Sequence, residues 1–462
     1  MDVNRLARNA HQQSIGRHIG QSNVFSFFNM LTGPQLLEEV EVLLPEHRER
    51  RFPPTETTAM FLAQVLSPDR SCQMIVDSVA TQRLRASLPL CSTRTGAYCR
   101  ARARLPTPML TKLSSFVGQL MTQRAPLAWH WRGRPVRLVD GATVALPDTP
   151  ANQAAYPQPS TQRPGLGFPQ CRIVGLICLA SGGVLNAATS ACRGKGSDEQ
   201  TLLRAIFDTL QTNDMLLADA LYGTYFLLCA LRARGCDGLF AQQGARARST
   251  DFRRGQRLGT RDHVVEWQKP KKKPDWMTPA QYAQAPATLR VRELRTGGKL
   301  LLTTLLCAKQ TSKADLRALY QQRWNIELDL RNIKSTLGMD KLSCKSPDMV
   351  VKEIWAYLLA YNLIRLLMTQ TALLVNRAPR SLSFKHTLQM WSAWHSCGSV
   401  SEHDDKFDDF LRMIGQQKVG NRPGRIEPRA IKRRPKPYPL LTQPRPLARA
   451  NVLLHGHPKK LK

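Results

Sequence analysis

The chain has 462 residues, more than one ordinary hydrophobic core accommodates, so two or three structural units are expected. Hydrophobic residues make up 42 % of it, which excludes wholesale disorder. With 67 Lys and Arg against 34 Asp and Glu, the net charge is +33, and a charge of that size and sign points to a polyanionic partner, most simply nucleic acid.

The opening segment "MDVNRLARNAHQQSIGRHIG" lacks the apolar core of a secretory leader. No run reaches the roughly 18 apolar residues of a membrane span. The 11 cysteines are scattered, with no C-x-x-C pair, and read as free thiols of a reducing cytoplasm rather than a zinc ribbon.

Residues 1–125 read as helical. "GPQLLEEVEVLLPEHRER", "TETTAMFLAQVLSP", "SCQMIVDSVATQRLRA" and "TGAYCRARARLPTPMLTKLSSFVGQLMTQ" show helical periodicity, most of them separated by Pro or Gly. Arg94, Arg100, Arg102 and Arg104 crowd one stretch of this region, which suits either a small DNA-binding domain or a solvated basic helix.

Over 134–243 the texture changes to that of an α/β core with a mixed sheet. "PVRLVDGATVAL" is strand-like, and "QCRIVGLICLASGGVLNAATS" is a hairpin turning at Ser-Gly-Gly. "SDEQTLLRAIFDTLQ" opens a helix with Ser and Asp. "DMLLADALYG" is a buried strand, "TYFLLCALRARG" a helix and "CDGLFAQQ" another strand. Residues 244–308 read as an inserted β-rich lobe and 309–345 as a helix capped by Thr311 or Ser312. Residues 346–420 return to helix, including a buried one over "IWAYLLAYNLIRLLMTQTALLV". The segment 421–462, rich in Pro, Arg and Lys, reads as an extended basic tail.

Within "YQQRWNIELDLRNIKSTLG" an aromatic, two cations and one carboxylate recur at helical offsets. Seven residues turn a helix by about 700°, so Tyr320, Glu327 and Lys334 fall nearly in line, with Arg323, Trp324 and Arg331 beside them. Leu316, Leu319, Ile326, Leu330, Ile333 and Leu337 form an adjoining apolar stripe for packing on a sheet. The polar stripe alone fits a solvated face with an Arg323–Glu327 pair. Two further acids alter that reading. Asp140 ends "VRLVD" and Asp219 ends "MLLAD", and an acid at the end of a buried strand is costly unless paired, hydrogen-bonded or on a metal. Each by itself also fits a turn-capping Asp. Asp148 and Asp214 compete less well, and Asp329 points away from the stripe. Three carboxylates from two strands and a helix can hold Mg²⁺ or Mn²⁺ for phosphodiester displacement, with the neighbouring cations on the DNA backbone.

The spacing Tyr320-x2-Arg323-x3-Glu327-x6-Lys334 resembles the Y-R-E-K signature of the bacterial DDE transposases of insertion-sequence family four. "VDGATVALPDTPANQAAYPQP" and "GKGSDEQTLLRAIFDTLQTNDMLLADALYGTYFLL" are similar to its two Asp blocks, and "NRPGRIEPRAIKRRPKPYPLL" to its tail. The resemblance implies a ribonuclease H-like core with a β-rich insertion before the catalytic helix. It implies that Asp140, Asp219 and Glu327 are the catalytic, metal-binding triad. Tyr320, Arg323 and Lys334 are then DNA contacts, joined by Arg331 and by Trp324 if its ring is not in the core. It implies cut-and-paste chemistry through a hairpin end, Mg²⁺ with Mn²⁺ as substitute, a homodimer on terminal and target DNA, no membrane, and a bacterial, nucleoid-associated protein. A flipped base near the hairpin calls for an aromatic platform, for which Trp267 and Trp276 are candidates. Two other readings remain: a nuclease of the same fold without strand transfer, and a non-catalytic DNA-binding derivative.

Overall fold

A computed structural model describes residue 43 and residues 52–85, 87–396, 406–420 and 440–457. The expected helix over "GPQLLEEVEVLLPEHRER" lies outside the described residues apart from Leu43, as do residues 421–439 and 458–462 of the basic tail.

Four helices lead in: α1 (Pro54–Leu66), α2 (Cys72–Arg85), α3 (Gly96–Arg104) and α4 (Thr107–Arg124). The run from Thr95 to Gln123, read as one periodic stretch, breaks at Leu105 and Pro106. Leu105 is held extended at φ −58°, ψ 131°, as the residue before a proline usually is. The Arg cluster of α3 is not wholly a DNA-facing surface. Arg102 is buried, donates to Gln64 at 3.1 Å and lies over the Phe61 and Tyr98 rings. α4 is part of the core's cover. Gly118 has no room for a Cβ against the Val184 carbonyl, so the helix lies directly on the sheet.

The sheet is built from β1 (Val136–Ala145), β2 (Gln170–Cys178), β3 (Val184–Ala191), β4 (Met215–Ala218), β5 (Asp237–Ala241), β6 (Gln256–Gly259), β7 (Asp262–Gln268), β8 (Thr288–Thr296) and β9 (Lys299–Thr303). These described strands form one sheet in the order β3-β2-β1-β4-β5-β9-β8-β7-β6. β1, β2 and β3 run antiparallel to their neighbours in turn, and β4 and β5 are parallel to β1. β4, most of β5 and the first four residues of β1 are buried on both faces, and β4 and β5 read accordingly as near-continuous apolar runs. The segment read as an inserted β-rich lobe supplies β6 to β9, which continue this sheet, β9 pairing antiparallel with β5 from Leu301 to Thr303.

Helices cover both faces. α5 (Pro150–Ala155) follows β1, α6 (Glu199–Ala205) follows β3 and α7 (Tyr225–Ala233) follows β4. Within the inserted stretch lie α8 (Gly244–Ser249) and α9 (Pro279–Gln284). α10 (Lys313–Gln321) starts at Ser312, whose side chain exchanges hydrogen bonds with Asp315 in a capping box. α11 (Trp324–Arg331) follows it. α12 (Pro347–Leu374) is 28 residues long and runs about 42 Å. Its Asn362 and Arg365 are buried but satisfied: Asn362 bridges the Val184 backbone and the Ser114 carbonyl, tying α12 to β3 and α4. α13 (Phe384–Ser396) and α14 (Lys406–Gln416) close that side. The tail is not extended throughout. α15 spans Arg445–His455, with Pro446 in the first turn, where a missing N–H costs nothing.

The expected single helix over Tyr320–Gly338 is also interrupted. Around Gln322 and Arg323 the backbone hydrogen bonds shorten to three-residue spans, Gln322 N–H to Leu319 and Arg323 N–H to Tyr320. After Arg331 the turn widens over Asn332–Thr336 into π-helix. The apolar stripe keeps its role: Leu316, Leu319, Ile326, Ile333 and Leu337 are all buried in the main core, and Leu330 packs partly against it.

Candidate active site

β1 and β4 pair only from Val136 to Leu138. Beyond that point the strands part, and Asp140 on β1 and Asp219, one residue past β4, flank the gap. Each carboxylate is held locally: Asp140 Oδ1 accepts from the Gly141 N–H at 2.8 Å, and Asp219 Oδ1 from the Leu221 N–H at 2.8 Å. Fully buried Tyr222 packs in the core beside β1 and β4 and donates its hydroxyl to Glu199 Oε2 at 3.2 Å. Glu199 opens α6, whose cap is Asp198, accepting from the Thr201 N–H.

α11 lies over β1 and brings Glu327 to the same place. Asp140, Glu199, Glu327, Arg172, Arg331 and Lys334 line a cleft of about 540 Å³. Arg323 spans the acids, donating to Glu327 at 2.7 Å and standing 3.8 Å from Asp140. Burial pushes the Asp140 carboxyl up to about 6; repulsion from Asp219 and Glu199 adds to this, and the Gly141 N–H and Arg323 oppose it. The Tyr222 phenol is pushed far above its ordinary range by burial first and then by Glu199 and Asp140.

The residues singled out from the sequence therefore separate into groups. Asp140 and Glu327 share the cleft with Arg331 and Lys334. Asp219 stands behind it, close enough to raise Asp140. Tyr320 does not join the line of Glu327 and Lys334. It is buried at 6 % exposure under the Lys299 ammonium, and burial pushes its phenol up, with the nearby Arg323 guanidinium opposing. Trp324 is 55 % exposed and so is not a core residue. Asp329 does point away, into a buried cluster with Arg365, Arg380 and the Tyr361 hydroxyl. In the inserted strands, the Trp267 indole donates to Glu293 at 3.1 Å and faces Arg246, while Trp276 lies under Arg204.

Glu199 and Arg172 escaped the sequence reading. An acid in a helix's first turn is ordinary, and Arg172 sits in a strand whose alternation accounts for it. Among the described residues no three His, Cys, Asp or Glu side chains converge closely enough to hold a metal ion, and Arg323 contacts both Asp140 and Glu327. The donor set itself is all oxygen, which suits a hard divalent cation.

No helix among the described residues is long and apolar enough to cross a membrane. Residues 131–363, which include the sheet and both acid-bearing strands, match the family described as Transposase DDE domain. Over 359 residues the chain is 29 % identical to the transposase InsG for insertion sequence element IS4 of Escherichia coli strain K12, covering 74 % of this chain and 77 % of that protein. A shorter match, 32 % identical over 109 residues, is to the putative transposase InsZ of the same strain, covering 23 % of this chain and 35 % of the relative. A third, 36 % over 76 residues, is to the transposase for insertion sequence element IS421 of Escherichia coli, covering 16 % and 20 %.

Proposed function

The chain belongs to the DDE transposases of the insertion-sequence-four family, and on that premise we propose that it binds the ends of a mobile DNA element and catalyses their cut-and-paste transfer. The observation that carries this reading is the cleft itself, in which Asp140 and Glu327 meet Arg172, Arg331 and Lys334. Acids for a cation and bases for phosphate in one cleft suit phosphodiester chemistry; binding alone needs only the bases.

The strand order β3-β2-β1-β4-β5, antiparallel then parallel, supports a ribonuclease H-like core. Asp140, Asp219 and Glu327 would hold Mg²⁺, which supplies a Lewis acid that activates the attacking oxygen and neutralises the leaving one. Arg331 and Lys334 hold the strand's phosphates at the cleft. Arg323, braced by Tyr320, transfers from Glu327 to phosphate when DNA enters, and exposed Trp324 stacks on a base beside it. Water opens the strand at the element's end, the freed 3′ hydroxyl closes a hairpin on the element's end, and a second water reopens it for joining to target DNA. A homodimer pairing two ends suits a reaction that must cut both.

The test uses full-length protein, end DNA and Mg²⁺. Asp140→Asn, Asp219→Asn and Glu327→Gln each abolish cleavage and leave gel-shift binding intact. Products joined through a 3′ hydroxyl support transfer. Hydrolysis alone supports instead a nuclease of the same fold.

A further inference from the structure

Among the described residues, five buried acids elsewhere have charged or backbone partners. Asp214 pairs with Arg137, Asp262 with Arg292, Glu293 with His263, and Asp329 with Arg365 and Arg380. Glu353 accepts the backbone N–H groups of Ser343 and Cys344. The acids around the parted strands are less well matched: no ion pair reaches Glu199 or Asp219 among the described residues, Asp140 has only the long contact to Arg323, and each otherwise accepts a single hydrogen bond, from the Tyr222 hydroxyl, the Leu221 N–H and the Gly141 N–H. Uncompensated carboxylates held together at partial burial store repulsion that a bound cation would relieve.

Glu199 is held there by two features of its surroundings. Its carboxylate occupies the space that a side chain at Gly141 would take, well inside van der Waals contact of a Cβ built there. Tyr222, which is fully buried and cannot swing away, donates to one of its oxygens. A glycine directly after Asp140 is thus what admits a second acid from another element to the same cleft.

We propose that Glu199 is a further metal-binding residue of this site, a carboxylate that joins Asp140 in holding a divalent cation, with Gly141 as the residue that makes room for it. The proposal rests on the metal-dependent reading above, and Glu199 lies outside the Tyr320, Arg323, Glu327 and Lys334 signature. Loss of Glu199 removes one anionic oxygen ligand and its charge, and Gly141→Ala displaces the same carboxylate while leaving every acid in the chain.

The test is Mn²⁺ binding to the full chain, read by electron paramagnetic resonance of free Mn²⁺, with each variant's melting temperature recorded. Glu199→Gln and Gly141→Ala are each expected to weaken binding by about tenfold or more. Glu199→Ser replaces Glu199→Gln if that variant does not fold. Wild-type Mn²⁺ affinity in folded Glu199→Gln, alongside loss in Asp140→Asn, overturns the role of Glu199 and leaves the proposed function standing. Wild-type affinity in both variants overturns the metal site itself, and this proposal with it.

Discussion

Arg323 donates to Glu327 one helical turn ahead, at 2.7 Å, and the same guanidinium reaches to 3.8 Å from Asp140. A cation supplied by the same helix as Glu327 thus stands beside two acids whose proposed task is to hold a different cation. On the proposed function, DNA and metal would be coupled: phosphate that draws Arg323 away would free Glu327 and Asp140 for metal.

Replacing Arg323 separates these two effects. Arg323→Gln is expected to tighten Mn²⁺ binding to the DNA-free protein while weakening end-DNA binding. Mn²⁺ titration with and without DNA checks it. A variant whose metal affinity falls in the free protein contradicts the coupling.

Asp140 is held in its ionised form against its surroundings, so its removal should stabilise the fold. Its carboxyl stands at about 6 in the folded chain against 3.8 for a freely solvated aspartate. The raised value means that its favourable contribution is complete below about pH 4 and lost as pH rises through 6. Two units correspond to roughly 3 kcal/mol, and partial solvent access with the loss of the Gly141 hydrogen bond reduces the expected gain to about 1–2 kcal/mol. Asp140→Asn should therefore melt above wild type at pH 7.5 and level with it at pH 4. Equal melting temperatures at both pH values refute the strain.

Asp329 sits two residues beyond Glu327 and fixes α11 against the protein's interior through Arg365 and Arg380. Asp329→Asn leaves the buried Arg365 and the half-buried Arg380 short of their counter-ion and should cost about 3–5 kcal/mol. Glu327→Gln, only partly buried, should change stability by less than about 1 kcal/mol. Denaturant titration of the two variants gives the comparison; similar losses would show that the Asp329 cluster is not what holds the helix.

Arg331 and Lys334 face the cleft without an ion-pair partner among the described residues. Each Ala substitution should lower affinity for DNA of any sequence and reduce the slope of log K against log salt by about one. An unchanged slope removes that residue from the backbone contacts.

The parts of the site that were legible are those where composition changes abruptly along the chain. "VRLVD" and "MLLAD" expose Asp140 and Asp219 because an acid closing an apolar strand has no packing rationale. Glu327 stands out because its offsets from Arg323 and Lys334 survive on a helix. The tightened turn at Gln322–Arg323 left no mark, since neither residue is a helix breaker, and its consequence, the burial of Tyr320, went unread with it. Glu199 was hidden by an ordinary role at a helix start. The packing of α4 on β3 and the pairing of β9 with β5 are contacts between distant segments, and local periodicity carries no information about which surface an apolar face will meet.

The antiparallel seam between β5 and β9 also decides where the sheet ends. Without it the unpaired backbone of β5 would lie beside the acid-bearing strands, a template on which another chain could add. With the inserted strands in place, the edge at that end of the sheet is β6, four residues long, irregular between Arg257 and Gly259, and carrying a cationic side chain. Short, bulged and charged edges resist strand addition. The insertion therefore does more than lengthen the sheet: at that end it puts a short, irregular, charged strand where the paired backbone of β5 would otherwise be open to another chain.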